Sequence, residues 1–460
     1  MINMTKKKNF ILKPPSEGML FSGEDLRALL LPLIFEQLLS YLIGMMDSVM
    51  VASAGEGAVS AVSLVDSISV LFINVFTALA AGGAVVVGQY LGRKDAENSR
   101  KSSEQLTVLL ALIATGITAL LIIFQDGILD ILFGRSEREV LENCAVYYRI
   151  VMFSIPFIAV YNGGSALFRA IGDSRTPMKI SILMNVINVA GNAILIYGFK
   201  MGVAGVAIPT LVSRGIAMAA VLILSLRKSF PLNIRGLSHY RPNRYLIHNI
   251  FSIGIPGGIE NGMFQFGKLI LMSLISSLST AEVTANAIGN VLGSLHCFIG
   301  LAVNTAMTAV VSRCVGAGDY RQARWYVGYF MKFAIIWQGA VNILMAAAVP
   351  LSLRIYGVGE ETAYYAVRIL LIHGLSSIVI WPLAFMLNTA MRAAGDSRFA
   401  MVIASVSMWV CRVGGAYFMI LGLGMDVVSV WIAWVIDWFF RIAFFVPRYL
   451  GHKWESMAIK

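Results

Sequence analysis

The chain has 460 residues, of which 58% are hydrophobic and only 13% charged, with a mean hydropathy of +0.76. A soluble chain carries about 25% charged residues, so this one lacks the polar surface that water demands and reads as an integral membrane protein. The net charge of +11 does not point to nucleic acid, because the basic residues sit in short loops between apolar spans and form no separate basic domain.

The N-terminal segment carries Lys6, Lys7, Lys8 and Lys13 ahead of the first apolar run, which starts near Ala28. That run is too long for a signal h-region and lacks a cleavage site, so it is expected to be a retained first helix. Apolar segments follow at 28–51, 59–89, 106–124, 148–168, 180–198 and 204–226, then at 250–277, 283–311, 326–350, 369–391, 400–420 and 428–447. Each is long enough to cross a hydrocarbon core of about 30 Å as a helix. Every second loop is basic: Arg93, Lys94, Arg100 and Lys101 follow span 2, Arg175 and Lys179 follow span 4, and Arg227, Lys228, Arg235, Arg241 and Arg244 follow span 6. The alternate loops are short or acidic, with Glu56, Asp126, Asp130, Glu137, Glu139, Glu142, Glu282, Glu360 and Glu361. Both termini are therefore expected in the cytoplasm of a multi-pass inner (plasma) membrane protein.

The chain repeats itself. Arg169-Ala-Ile-Gly-Asp-Ser-Arg175 recurs as Arg392-Ala-Ala-Gly-Asp-Ser-Arg398, and Gly92-Arg-Lys-Asp95 as Gly316-Ala-Gly-Asp319. Pro32 and Glu36 of span 1 align at the offset of the second repeat with Pro256 and Glu260 of span 7, and so does Met201-Gly-Val with Met425-Asp-Val. The expected fold is all-α: twelve transmembrane helices in two pseudo-symmetric six-helix lobes around a central cavity. Six spans per half give both lobes the same orientation, with a site at the repeat interface. The expected division is a cytoplasmic segment 1–27, an N-terminal lobe 28–226, a cytoplasmic linker 227–249, a C-terminal lobe 250–447 and a cytoplasmic tail 448–460.

These residues resemble the multidrug and toxic compound extrusion (MATE) family. The resemblance is carried by Met46-Asp47-Ser-Val-Met50, Val87-Gly-Gln-Tyr-Leu-Gly92, the doubled Arg-Ala-x-Gly-Asp-Ser-Arg motif and Met201-Gly-Val-Ala-Gly-Val-Ala207, and it spans roughly Leu31 to Phe440. It implies cation-coupled antiport, with amphipathic organic cations as cargo.

Ionisable groups inside the membrane are functional candidates by default. Asp47 stands out, because Asn188 and Asn192 lie one turn apart on span 5 and Thr210 sits at similar depth, roughly 6–15 Å below the outer ends at 1.5 Å per residue. One carboxylate, two amides and a hydroxyl form a hard-oxygen cluster suited to H⁺ or Na⁺. The resemblance implies the same set, since some members hold a coupling cation through an Asp on helix 1, an Asn and an Asp on helix 5 and a Thr on helix 6. Asn192 departs from that Asp, which leaves Asp47 as the expected site's only formal charge. The second half lacks the cluster: Leu271 stands opposite Asp47, and Arg412 opposite Asn188.

Glu36 and Glu260 occupy equivalent points near mid-membrane, and Glu36 is expected to face the same way as Asp47, about 20° apart on the helical wheel. Glu36, Glu260, Lys268 and Arg412 are candidates for substrate or proton binding in a central cavity; the structural alternative pairs each glutamate with Lys268 or Arg412. Asp437 and Arg441, four apart, are expected as a helix-surface pair, and Gly172 and Gly395 as positive-φ residues in the two repeated turns. The 4 scattered cysteines and 5 histidines of the sequence carry neither a disulfide framework nor a His-Glu-x-x-His motif. No catalytic constellation, cofactor or nucleic-acid site is expected, only a coupling ion. The expected protein is a monomeric exporter of small organic molecules in a lipid bilayer. The alternative is a flippase for a lipid-linked oligosaccharide, whose anionic cargo would use Lys268, Arg214 and Arg412.

Overall fold

The computed structural model describes residues 18–53, 55–134, 137–227, 229–232, 234 and 240–459, apart from the side chain of Met45. Lys6, Lys7, Lys8, Lys13, Lys228, Arg235 and most of the expected N-terminal segment lie outside the described residues. Among those described the secondary structure is helical: α1 (Gly23–Ala52), α2 (Glu56–Gly92), α3 (Ala96–Ile123), α4 (Gln125–Phe133), α5 (Arg138–Phe153), α6 (Ile155–Ala170), α7 (Arg175–Ala193) and α8 (Ala204–Ser225) come first. They are followed by α9 (Arg244–Ile275), α10 (Thr280–Leu295), α11 (Phe298–Gly316), α12 (Tyr320–Tyr356), α13 (Glu360–Ala393), α14 (Ser397–Ser407), α15 (Gly415–Tyr417) and α16 (Val428–Leu450).

Eleven of the helical segments are long and apolar enough to cross a membrane. The twelfth expected span is α9, whose 32 residues suffice in length but whose apolar character is diluted by Glu260, Asn261, Gln265 and Lys268. Expected spans 4 and 8 are each divided between two helices: α5 and α6 meet at Ser154, and α10 and α11 meet at His296 and Cys297. At 37 residues each, α2 and α12 are longer than the apolar runs that mark them, because their polar ends continue the helix past the hydrocarbon.

The helix starts are set by short polar caps. Ser22 and Asp25 form a reciprocal capping box on α1, and Ser279 and Glu282 do so on α10. Asp95 and Asp319, equivalent in the repeat, accept from Asn98 N at 3.0 Å and Gln322 N at 2.9 Å to start α3 and α12, each offsetting an unpaired backbone donor. Gly172 and Gly395 have φ of +93° and +103°, as the repeated turns require.

The lobes meet where glycine lets backbones touch. A Cβ on Gly82 of α2 would lie 2.5 Å from Gly254 Cα of α9, and one on Gly316 of α11 would lie 2.0 Å from Gln89 O of α2. Gln89 Nε2 also donates to Ala393 O at 3.0 Å, Ile459 N donates to Gln89 Oε1 at 3.0 Å, and Phe21 N donates to Tyr326 Oη at 3.0 Å. These bonds lie at the end that carries the basic loops. Farther along, Asn261 Nδ2 reaches Asn74 O at 3.2 Å. The lobes are thus sealed at the basic-loop end, and the described residues of α1 from Leu39 to Gly44 and from Met46 to Val49 are half-buried or exposed.

Candidate functional site

Three cavities follow the two-lobe plan. The first lies inside the N-terminal lobe, has a volume of about 360 Å³ and is lined by α1, α2, α5, α7 and α8. Asp47, Asn188, Asn192 and Thr210 all reach it. Asn192 Nδ2 donates to Asp47 Oδ1 at 3.1 Å. With the Asn188 amide set by its hydrogen bonds, its nitrogen faces the Asp47 oxygens at 3.2 and 3.3 Å while its oxygen accepts from Thr210 Oγ1 at 3.1 Å. The amide nitrogens therefore hold the carboxylate, and a cation there requires the amides to turn their oxygens inward. Asn192 Oδ1 is buried without a hydrogen-bond partner among the described residues, an acceptor of the type such an ion uses.

Two further charges share this cavity, so Asp47 is not its only formal charge. Asp66 of α2 accepts from Tyr147 Oη at 3.0 Å, and Arg214 of α8 donates from Nη1 to Ser154 Oγ at 2.7 Å. Asp66 went unremarked in the sequence because it interrupts a long apolar run only once. An aspartate in such a run is itself the signal.

The second cavity, about 240 Å³, lies between the lobes and is lined by α2, α6, α9, α11 and α13. Arg169 and Arg392, the first residues of the repeated motif, both face it. Arg169 Nη2 meets Glu36 Oε1 at 2.7 Å, and Arg392 Nη1 meets Glu260 Oε2 at 3.6 Å. Glu260 also accepts from Asn388 Nδ2 at 2.9 Å and lies 3.9 Å from Arg441 Nη1. The expected structural partners, Lys268 and Arg412, are thus replaced by Arg169 and Arg392. The motif does more than turn the chain: its arginine ends one helix and neutralises a glutamate on another. Glu36 is set against Arg169 of α6 rather than lining the Asp47 cavity, because the guanidinium supplies its charge partner.

The third cavity, about 470 Å³, occupies the C-terminal lobe and admits Glu260, Lys268 and Arg412 to its walls. Arg412 lies on a π-helical stretch, Met408–Gly414, and its Nη2 bonds Asp437 Oδ2 at 2.5 Å. Asp437 also accepts from Arg441 Nε at 3.1 Å. Asp437 and Arg441 do pair, but inside the lobe, at 0% and 2% exposure. Their surface placement is corrected by Arg412, whose charge draws Asp437 inward. Lys268 projects from α9 with its ammonium 5.7 Å from the Phe264 ring centre. His296 and His373, also unforeseen, pack together with Nδ1 atoms 2.9 Å apart, and His373 lies against the Trp431 and Trp438 rings.

The family model described as MatE matches residues 32–194 and, a second time, residues 256–418. The chain is 25% identical to the "Probable multidrug resistance protein NorM" of Thermotoga maritima, over 98% of this chain and 97% of that protein. Its fold is similar to an outward-facing multidrug resistance MATE family transporter of the MOP superfamily, with a TM-score of 0.85 and 19% identity over 94% of this chain and 96% of that one. It is likewise similar to a MOP superfamily transporter of Pyrococcus furiosus described by the reverse polarity of its binding pocket, with a TM-score of 0.86 and 18% identity over 94% and 96%. The two matches of the family model, one in each half and together covering most of the chain, show that the protein belongs to the multidrug and toxic compound extrusion (MATE) family of membrane transporters.

Proposed function

We propose that the protein is a cation-coupled antiporter that exports amphipathic organic molecules, with H⁺ or Na⁺ bound at Asp47, Asn188, Asn192 and Thr210. The observation that carries this reading is the convergence of those four side chains from three helices on one cavity of the N-terminal lobe. Two carboxylates, Asp47 and Asp66, face one arginine, Arg214, in that cavity, a balance that favours a cation. Loading the ion turns the amides of Asn188 and Asn192, which lie on the helix that packs against α1 and α8. A change at the ion site can therefore be felt by the lobe's packing and by the central cavity beyond it.

Arg169–Glu36 and Arg392–Glu260 would act as a repeat-related pair of braces at the central cavity, engaging substrate or proton when a lobe moves. In this reading both termini and the basic loops are cytoplasmic, the membrane is the plasma (inner) membrane, one chain suffices, and the lobes are closed toward the cytoplasm. The flippase alternative draws on Lys268, Arg214 and Arg412, but the relative matched over nearly its whole length is described as a multidrug resistance protein, which gives that alternative no support.

The test is uptake of a fluorescent organic molecule into inside-out vesicles under separately imposed pH and Na⁺ gradients. Uptake driven by one of the gradients and collapsed by its ionophore is expected; uptake indifferent to both gradients contradicts cation coupling.

A further inference from the structure

The two lobe cavities are built at equivalent positions of the repeat, yet their chemistry is exchanged. Asp66, Asn188, Thr210 and Arg214 of the first are replaced by Asn290, Arg412, Trp434 and Trp438 in the second. An acidic, hydroxyl-lined chamber thus faces a basic, indole-lined one. Four cationic side chains, Lys268, Arg392, Arg412 and Arg441, stand against two carboxylates, Glu260 and Asp437.

Both carboxylates are already ion-paired. Asp437 bridges Arg412 and Arg441, and Glu260 is held by Arg392, Arg441 and Asn388. Lys268 makes no ion pair among the described residues and is exposed to the cavity. Arg412 is stacked 5.0 Å from the Phe264 ring centre and 4.7 Å from that of Trp434. Its Nε and Nη1, and the indole nitrogens of Trp434 and Trp438, are buried without hydrogen-bond partners among the described residues. Glu260 Oε2, Asn304 Oδ1 and Asn388 Oδ1 are acceptors on the same walls that likewise lack hydrogen-bond partners among the described residues, so the excess is one of positive charge, beside flat aromatic walls. A cavity of about 470 Å³ is within the size range of small-molecule sites.

We propose that the C-terminal-lobe cavity binds an aromatic anion, a planar ring system bearing a carboxylate or sulfonate, with Lys268 as its charge partner and the Phe264, Trp434 and Trp438 side as the seat of its ring. This rests on the export reading for its purpose, as it names a cargo class, but binding itself does not depend on coupling.

Calorimetric titration of the full chain in phosphatidylcholine nanodiscs with 2-naphthoate tests this, with tetraphenylphosphonium as the cationic comparison that Lys268→Gln should not weaken. The expected result is 2-naphthoate binding that weakens about tenfold or more in Lys268→Gln, the loss of one charge-assisted contact, and stays close to wild type in Lys268→Arg. Asn290→Asp, which restores the acidic residue of the first lobe, weakens it in a second way. Undetectable 2-naphthoate binding, or binding that Lys268→Gln and Asn290→Asp both leave unchanged, overturns the proposal. Naphthoate that binds as expected but is not driven into vesicles by either gradient leaves this site standing and contradicts the coupled-export reading instead.

Discussion

Arg169 and Glu36 meet at 2.7 Å although they lie 133 residues apart, and the second lobe repeats the contact with Arg392 and Glu260. Both members of the first pair are largely buried, at 19% and 11% side-chain exposure, so removing one charge strands the other. Glu36→Gln should lower the melting temperature, with a cost of up to about 3–5 kcal/mol, the range for breaking a buried pair, reduced by water in the adjoining cavity. The double variant Glu36→Gln/Arg169→Gln should recover much of that stability but not transport. A Glu36→Gln protein that melts like wild type and transports poorly would instead make Glu36 a substrate or proton group free of any structural duty.

The repeat exposes a local strain in the first lobe. Lys94 and Lys200 have φ of 60° and 54°, and their equivalents in the second lobe are Gly318 and Gly424, with φ of 72° and 64°. A side chain in the left-handed region costs roughly 1–2 kcal/mol, partly offset by the greater unfolded freedom of glycine. Lys94→Gly and Lys200→Gly should therefore each stabilise the protein by about 0.5–1 kcal/mol, and Gly318→Ala should destabilise it. Thermal unfolding in detergent reads both; a loss of stability in both lysine variants would contradict this reading.

The seal between the lobes should be breakable at a single methyl group. A Cβ on Gly316 would lie 2.0 Å from Gln89 O, and one on Gly92 would lie 2.1 Å from Arg313 O, contacts that only a backbone shift can relieve. Overpacking of about 1–3 kcal/mol applied to one arrangement alone changes its population by roughly five- to 150-fold. Gly316→Ala should thus speed thiol labelling of Ala309→Cys from the basic-loop side in a background cleared of native cysteines. An unchanged labelling rate would mean that the contact is not part of a moving seal.

Much of the architecture can be read from the chain because it is written in composition and repetition. Apolar runs near twenty residues long, alternating basic loops and matches such as Pro32 with Pro256 carry the twelve helices and the two lobes. Repetition gives equivalence, however, and not contact. Glu36 and Arg169 were each visible as repeated residues, yet their pairing depends on where the fold places α1 and α6 in three dimensions. Asp47, Asn188, Asn192 and Thr210 share a depth that one-dimensional counting can find. The direction of an amide cannot be counted, and the nitrogens of Asn188 and Asn192 face the carboxylate where oxygens were expected. Asp437 and Arg441 satisfied the i, i+4 rule, but only the third partner, Arg412, draws the pair into the interior. The break at His296 and Cys297 lies within one continuous apolar segment and leaves no mark in its hydropathy.

The central claim is that coupling runs through Asp47, and the most direct measurement is gradient-driven uptake into inside-out vesicles by the Asp47→Asn variant beside wild type, Asp66→Asn and Asn192→Asp. The carboxamide keeps the shape and removes the charge, so Asp47→Asn should be present at wild-type level and fold normally, while uptake driven by the coupling ion falls to the level of empty vesicles. Asp66→Asn, whose carboxylate is held by Tyr147 rather than by the asparagines, should retain coupled uptake with an altered pH profile. Asn192→Asp places a second carboxylate beside Asp47 and should change the pH or Na⁺ dependence without abolishing transport. Wild-type coupled uptake by Asp47→Asn would contradict the account and move the search for the coupling group to Glu36 and Glu260.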